Sequence, residues 1–387
     1  MTLAFQPRGF KVCAKNIGIK QNLLDFTVIA SEVPASGAAV FTKSAFCGSP
    51  IIVGREHVQD GILQAFVINS GNSNVATGEQ GIQNAREIVR LVAAELDIKP
   101  EDILPSSTGV IGRQLPIDII RAGIQGVGQQ LKEGHLEEAA VAIMTTDTRP
   151  KVRAAQIGDA VLVGMAKGSG MIEPNMATML SYFVTDAQIE PATLQTLLRE
   201  VVDLSFNMVS VDTDTSTSDT VAMMANGLAG EVDLQEFRTV FTQMAMELAQ
   251  DIARDGEGAT KLIEVRVQGA HSFRDAKALA KSIVNSPLVK TAIFGTDPNW
   301  GRIAMALGKV DTQDTQIDPY QVQISFGDLM VYDRGNSDTG QLQALTDYLK
   351  GSDILIDVHL NLGDQQATVW GCDLTYDYVK INGEYTT

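Results

Sequence analysis

The sequence predicts an α+β protein built in layers. Amphipathic stretches of helical period are spread along the chain, and runs rich in β-branched residues lie between them. Several of those runs follow one another directly, without the strict strand–helix alternation of a parallel sheet.

Along the chain, QAFVIN (64–69) predicts the first strand. A helix follows over 82–96, with Ile82, Ala85, Val89, Val92 and Leu96 on one face, and another near 117–131. Strands are expected at 161–165 and 180–184. Pro191 then opens a helix over 191–205 that points Leu194, Leu197, Leu198, Val201 and Val202 inward. A longer helix over 234–253 carries Phe237, Val240, Phe241, Met244 and Leu248. Beyond it, strands at 262–267, 322–326, 354–360 and 367–371 and helices near 273–284 and 339–350 complete the pattern.

The chain has 387 residues, of which 44% are hydrophobic and 20% charged, and the length suggests about two to three domains. A formal net charge of −17 and the lack of any basic cluster argue against nucleic acid or an anionic membrane as partner. Cys13, Cys47 and Cys372 form no CxxC pair, and His57, His135, His271 and His359 show no metal-ligand spacing. No metal site is expected. The N-terminus lacks the apolar core of a signal peptide, and no 18 apolar residues run together, so a cytoplasmic protein is expected.

Six segments are rich in glycine, hydroxyls and amides: NSGNSNVATG (69–78), SSTGVIG (106–112), MTTDT (144–148), KGSGMIEPNMATM (167–179), VDTDTSTSDT (211–220) and GTDPNWGR (295–302). Turns need fewer such residues, and groups aimed at a small polar ligand would explain the surplus. Familiar motifs fail here. KGSG reverses the phosphate loop; the EF-hand spacing of Asp212 and Asp214 lacks its Gly and Glu; no GxSxG or GxGxxG occurs. What remains is a threonine, Thr178, in PNMATML. A threonine hydroxyl is a weak nucleophile without a base, and cutting the chain just before it would turn its own α-amine into that base. Such an amine has a pKa of about 7.7–8.0 and is partly neutral near physiological pH. A threonine that merely opens a strand is the competing reading.

KGSGMIEPNMATML closely resembles the self-cleavage signature of the ornithine acetyltransferase (glutamate N-acetyltransferase) family. The likeness continues through SSTGVIGRQLP, MTTDTRPK, VDTDTSTSDTV, EGATK, NSPLVKTAIFGTDPNWGRI and the terminal YVKINGEYTT, in the family's order. It implies a layered αββα-like sandwich of the ornithine acetyltransferase/aminopeptidase type. It further implies cleavage between Ala177 and Thr178, giving an α chain of residues 1–177 and a β chain of residues 178–387. Thr178 is then nucleophile and acyl carrier, and Thr108 with Gly109 forms the oxyanion hole. Thr145 (preferred over Thr146), Lys167, Thr178, Glu257, Asn382 and Thr387 match substrate-binding positions. The implied reaction is ping-pong transfer of acetyl from N2-acetylornithine to glutamate in arginine biosynthesis, with no cofactor. Acetyl-CoA is a second acetyl donor in bifunctional members. The two chains are expected to stay together as a heterotetramer or larger.

Four places depart from the family pattern: Glu173 stands for a usual His, Thr213 for Gly, Lys43-Ser44 in an FTTN-like run, and NSNVATG for NANACTG. They leave open a paralogue acting on another N-acyl amino acid. An N-terminal-nucleophile amidase or aminopeptidase, or an uncleaved binding protein, would use the same scaffold.

Overall fold

The computed structural model describes residues 3–173 and 179–384, so Ala177, Thr178 and Thr387 lie outside the described residues. The chain forms two compact units. The first is drawn from Met1–Asn207 and Asp214–Leu248, the second from Met208–Thr213 and Ala249–Tyr385.

In the first unit the order is β1 (Phe10–Lys15), β2 (Phe26–Phe41), α1 (Ser49–His57), β3 (Ile62–Asn72), α2 (Gly78–Leu96), β4 (Ile103–Val110), α3 (Ile117–Ile124) and α4 (Val127–Gln130). There follow β5 (Lys132–Glu133), α5 (Leu136–Ala142), β6 (Lys151–Ile157), β7 (Ala160–Lys167), β8 (Leu180–Gln188), α6 (Pro191–Leu204), β9 (Thr220–Glu231) and α7 (Leu234–Arg254). The strands form one sheet ordered β4-β3-β2-β9-β8-β7-β6, with β1 on β2 and β5 on β1.

Strand β2 makes that sheet into two layers. Its register against β3 slips between Ala30 and Ala35. Before the slip it pairs with β1 and β3; after it, Ser36–Phe41 pair with β9. The sheet doubles over there, so that Phe66 of β3 meets Tyr182 of β8 with ring centroids 5.1 Å apart, although β2 and β9 separate them in the order. Alternate residues then sort by face. Phe66, Ile68 and Leu104 share a buried cluster with Met165, Tyr182, Val184, Ala222 and Met224 between the layers. Ala65, Val67 and Ile103 face the opposite way, onto Ile88, Val89 and Val92 of α2 and Ile120 and Ile124 of α3. On the far side Phe183 turns out to Phe206 and to Phe241 of α7, 4.8 Å between centroids in the latter pair. The unit is therefore helix, sheet, sheet, helix, the expected αββα layering. Each large side chain buried in these interfaces contributes roughly 1.5–3 kcal/mol.

The second unit contains β10 (Leu262–Ala270), α8 (Phe273–Val284), α9 (Pro287–Phe294), α10 (Gly301–Gly308), β11 (Gln323–Phe326), β12 (Leu329–Asp333), β13 (Asn336–Ser337), α11 (Leu342–Tyr348), β14 (Asp353–His359), β15 (Gln365–Cys372) and α12 (Tyr376–Glu384). Its sheet runs β13-β12-β11-β14-β10-β15, with β10 parallel to β14 and antiparallel to β15. Buried Lys261 ties α9 and α11 to this sheet by donating to the carbonyls of Ile293 (2.6 Å) and Leu349 (2.7 Å).

Three sequence expectations are corrected. The helix near 117–131 is broken into α3 and α4 by Gly126, whose φ of 75° no helix accommodates. The helix near 339–350 shortens to α11, preceded by a 3-10 turn. SSTGVIG (106–112), which no expected element covers, is strand through Val110 of β4.

Candidate active site

On β4 the period of two that turns Leu104 inward carries Ser106 and Thr108 to the same face. Thr108 is buried, and its hydroxyl makes no hydrogen bond among the described residues. Gly109 follows with φ 129°, where β3 and β4 lose register. A Cβ on Gly109 would lie 2.4 Å from the Gly71 carbonyl carbon and 2.6 Å from the Asn72 nitrogen. Only glycine fits this irregularity, which bends the strand end as bulges beside functional sites do.

The facing layer contributes Lys167. Val163 and Met165 point inward on β7, and Lys167, two residues further, pairs across with Leu180, the first residue of β8. Its ammonium donates to Thr145 Oγ1 at 3.3 Å. Thr146 instead shares a 2.6 Å hydrogen bond with buried Ser169.

Asp147 holds this loop in place. Its Oδ2 accepts from the Thr145 N–H (3.0 Å), and its Oδ1 accepts from Lys151 Nζ (2.7 Å) and the Gly168 N–H (2.6 Å). The Asp147 and Lys151 side chains are 0% and 1% exposed. Burial opposes the charge on Asp147, but the Lys151 and Lys167 ammoniums and the Gly168 N–H outweigh it and hold the carboxyl below its ordinary range. Lys20 Nζ donates to the Met144 carbonyl at 2.9 Å, and its stem crosses Gly71: a Cβ there would be 2.9 Å from Lys20 Cγ. A continuous path of contacts thus joins Gly109, Gly71, Lys20, Met144, Thr145 and Lys167.

Asp219 stands where β9 begins. Its carbonyl accepts from Thr42 N, and the next residue, Thr220, donates its N–H to the Met179 carbonyl at 3.0 Å. Burial pushes the Asp219 carboxyl well above its ordinary range against the Ser216 hydroxyl, the Lys167 charge and the Thr42 hydroxyl, and Oδ2 has no hydrogen-bond partner among the described residues.

In the second unit Asn382 Nδ2 donates to Glu257 Oε2 at 2.8 Å. Asn382 belongs to α12, and Thr375 beside that helix donates to the Gly258 carbonyl at 2.7 Å, which ties the Glu257 loop to it. Thus Thr108 with Gly109, Thr145 with Lys167, and Glu257 with Asn382 are each brought together, while Ala177, Thr178 and Thr387 lie outside the described residues.

Much of NSGNSNVATG serves the chain itself. Asn69, Ser70, Asn72 and Ser73 donate to the carbonyls of Asn72, Ala142, Gln114 and Val110, and Asn74 donates to Gly81. That corrects the expectation of ligand-directed groups there: buried backbone carbonyls need partners, and these side chains supply them. Sequence reasoning missed Lys20, Asp147, Lys151 and Asp219. Only the i,i+4 spacing of Asp147 and Lys151 offered a signal. Among the described residues no His, Cys, Asp or Glu cluster suits a metal ion, and no helix is long and apolar enough to cross a membrane.

The model of the ArgJ family matches residues 11–387. The arginine biosynthesis bifunctional protein ArgJ 2 of Clostridium acetobutylicum is 53% identical over 381 residues, covering 98% of each chain. The glutamate N-acetyltransferase Oat2 of Streptomyces clavuligerus is 50% identical over 386 residues, again covering 98% of each. The crystal structure of the arginine biosynthesis bifunctional protein argJ from Bacillus halodurans aligns with 42% identity and a TM-score of 0.51, covering 54% of this chain and 100% of that one. Half-identity across nearly the full length, together with a family match from residue 11 onward, leaves one conclusion: the chain belongs to the ArgJ family.

Proposed function

We propose that the protein is an acyltransferase of arginine biosynthesis that moves acetyl from N2-acetylornithine to glutamate through Thr178, after cutting itself between Ala177 and Thr178. The observation that carries this reading is the contact path from Gly109 through Lys20 to Lys167, whose strand partner Leu180 follows Thr178 by two residues. It gathers candidate oxyanion donors and substrate-binding cations beside a strand that begins two residues after Thr178.

In this scheme the α-amine freed by cleavage takes the Thr178 hydroxyl proton, and the oxygen attacks the acetyl carbonyl. The Thr108 hydroxyl and the Gly109 N–H receive the developing oxyanion. Collapse leaves acetyl on Thr178 and releases ornithine, whose leaving nitrogen takes the proton from the amine. The glutamate amine then repeats the sequence in reverse. Lys167 and Thr145 hold substrate, and Asp147 fixes both through its hydrogen bond to Thr145 and its charge beside Lys167. The scheme needs no metal or organic cofactor.

The sheet supports lasting association of residues 1–177 with 178–387. Strand β8 of the second fragment pairs with β7 of the first, and β9 of the second pairs with β2 of the first. Separating the fragments would tear two ladders from one buried core. Unit boundaries and fragment boundaries therefore do not coincide.

The test is a donor and acceptor screen with purified, processed protein. Acetylglutamate should form from N2-acetylornithine and glutamate together. An acetyl-CoA arm examines the second acetyl donor that the family resemblance implies. Acetate released without glutamate would instead identify an amidase. A preference for another N-acyl amino acid would trace to the departures at Glu173 and Thr213.

A further inference from the structure

Lys20 has more hydrogen-bonding capacity than the protein uses. Its loop is fixed by Asp25, a fully buried carboxylate that accepts the backbone N–H groups of Ile17 (2.7 Å), Gly18 (3.2 Å), Ile19 (2.7 Å) and Lys20 (2.8 Å). From this rigid base the stem crosses Gly71, against which Gly109 is paired, and the half-buried ammonium donates to the Met144 carbonyl. An ammonium has three donors. Lys20 makes no salt bridge among the described residues, so two donors remain.

The two carboxylates whose charge reaches Lys20 do not cap it. Asp25 is occupied by four backbone amides, and Asp147 by Lys151 and the amides of Thr145 and Gly168. The like charge of Lys167 also reaches Lys20. Two cations, one on the Met144 carbonyl with donors to spare and the other on the hydroxyl of the next residue, Thr145, form a receptor for an anion, whose arrival relieves their repulsion. Donor and acceptor in the proposed reaction differ at the far end of the side chain but share one anionic group, the α-carboxylate. We propose that Lys20 is a further substrate-binding residue, its ammonium taking the α-carboxylate common to the acyl donor and the acceptor. This rests on the substrate reading given above.

The experiment compares N2-acetylornithine with its α-methyl ester, which lacks the carboxylate charge, using wild type, Lys20→Met and Lys20→Arg. Self-cleavage on a gel and thermal melting serve as controls for folding. Wild type should prefer the acid in kcat/KM by about 10- to 100-fold, the scale of one charge-assisted hydrogen bond. Lys20→Met should bring the two substrates within about threefold of each other, chiefly by raising KM for the acid, since the α-carboxylate keeps its charge through the reaction. Lys20→Arg should restore most of the preference. A merely structural lysine would slow acid and ester alike, and an unchanged ratio in Lys20→Met would overturn the proposal. If Lys20→Met failed to fold, an Arg variant with no preference for the acid would overturn it equally. A wild type that turns over neither compound would remove the substrate reading itself, a result distinct from either.

Discussion

Thr178→Ala should persist as one full-length band on a denaturing gel and transfer no measurable acetyl. Wild type should give two bands, the β fragment beginning TMLSYF. The hydroxyl is asked to act twice, first on its own preceding peptide bond and then on the acyl donor, so one substitution removes both chemistries. Loss of a nucleophile that works with its base as a unit costs at least about 10,000-fold. Thr178→Ser keeps a hydroxyl and should still be cut. An alanine variant that is nevertheless cleaved at 177–178 would assign the attack to another group.

The second large effect is expected at β4. Thr108→Ala should lower kcat or the rate of self-cleavage by about 100- to 1,000-fold while leaving KM near its starting value. Its hydroxyl has no hydrogen bond to lose among the described residues, so the fold should survive. Gly109→Ala should do worse, because the added Cβ would meet backbone atoms at 2.4 and 2.6 Å and φ is 129°. That variant is expected to lower the melting temperature as well as activity. If Thr108→Ala raised KM and left both kcat and maturation untouched, the oxyanion role would be withdrawn.

Pattern reasoning read best the elements whose burial is one-sided. In α6, Pro191 opens the helix, and all five residues expected inward, Leu194, Leu197, Leu198, Val201 and Val202, are buried. In α2, Ala85, Val89 and Val92 are buried as expected, but Ile82 and Leu96 are only partly covered and Ile88 takes the core position. No pattern in the sequence predicts strand β2, the longest among the described residues. FTVIASEVPASGAAVF lacks alternation because the strand changes partners midway, with Pro34 in the register slip and Gly37 where a Cβ would meet Leu63 at 2.5 Å. Its sequence answers two layers at once, so neither period shows.

The site was legible where motifs were dense. Thr108, Gly109, Thr145 and Lys167 come from such segments, and the structure joins Thr145 to Lys167. Lys20 lies in IGIKQNL, where nothing local marks it; its carbonyl partner Met144 is 124 residues away, and only folding brings them together. Asp219 was hidden among the acids and hydroxyls of its own segment. The departure at Thr213 carried unread information: its φ is 71°, so a β-branched residue occupies a left-handed conformation that suits glycine. That placement costs about 1–3 kcal/mol of backbone strain.

Passage of acetyl through Thr178 is read most directly from the mass of the β fragment after mixing processed enzyme with N2-acetylornithine alone. One added acetyl group is expected, located on the peptide that begins TMLSYF, gained as ornithine is released and removed again when glutamate is supplied. Continued transfer to glutamate with no acetylated fragment at any time, and with intersecting rather than parallel initial-rate lines, would contradict it.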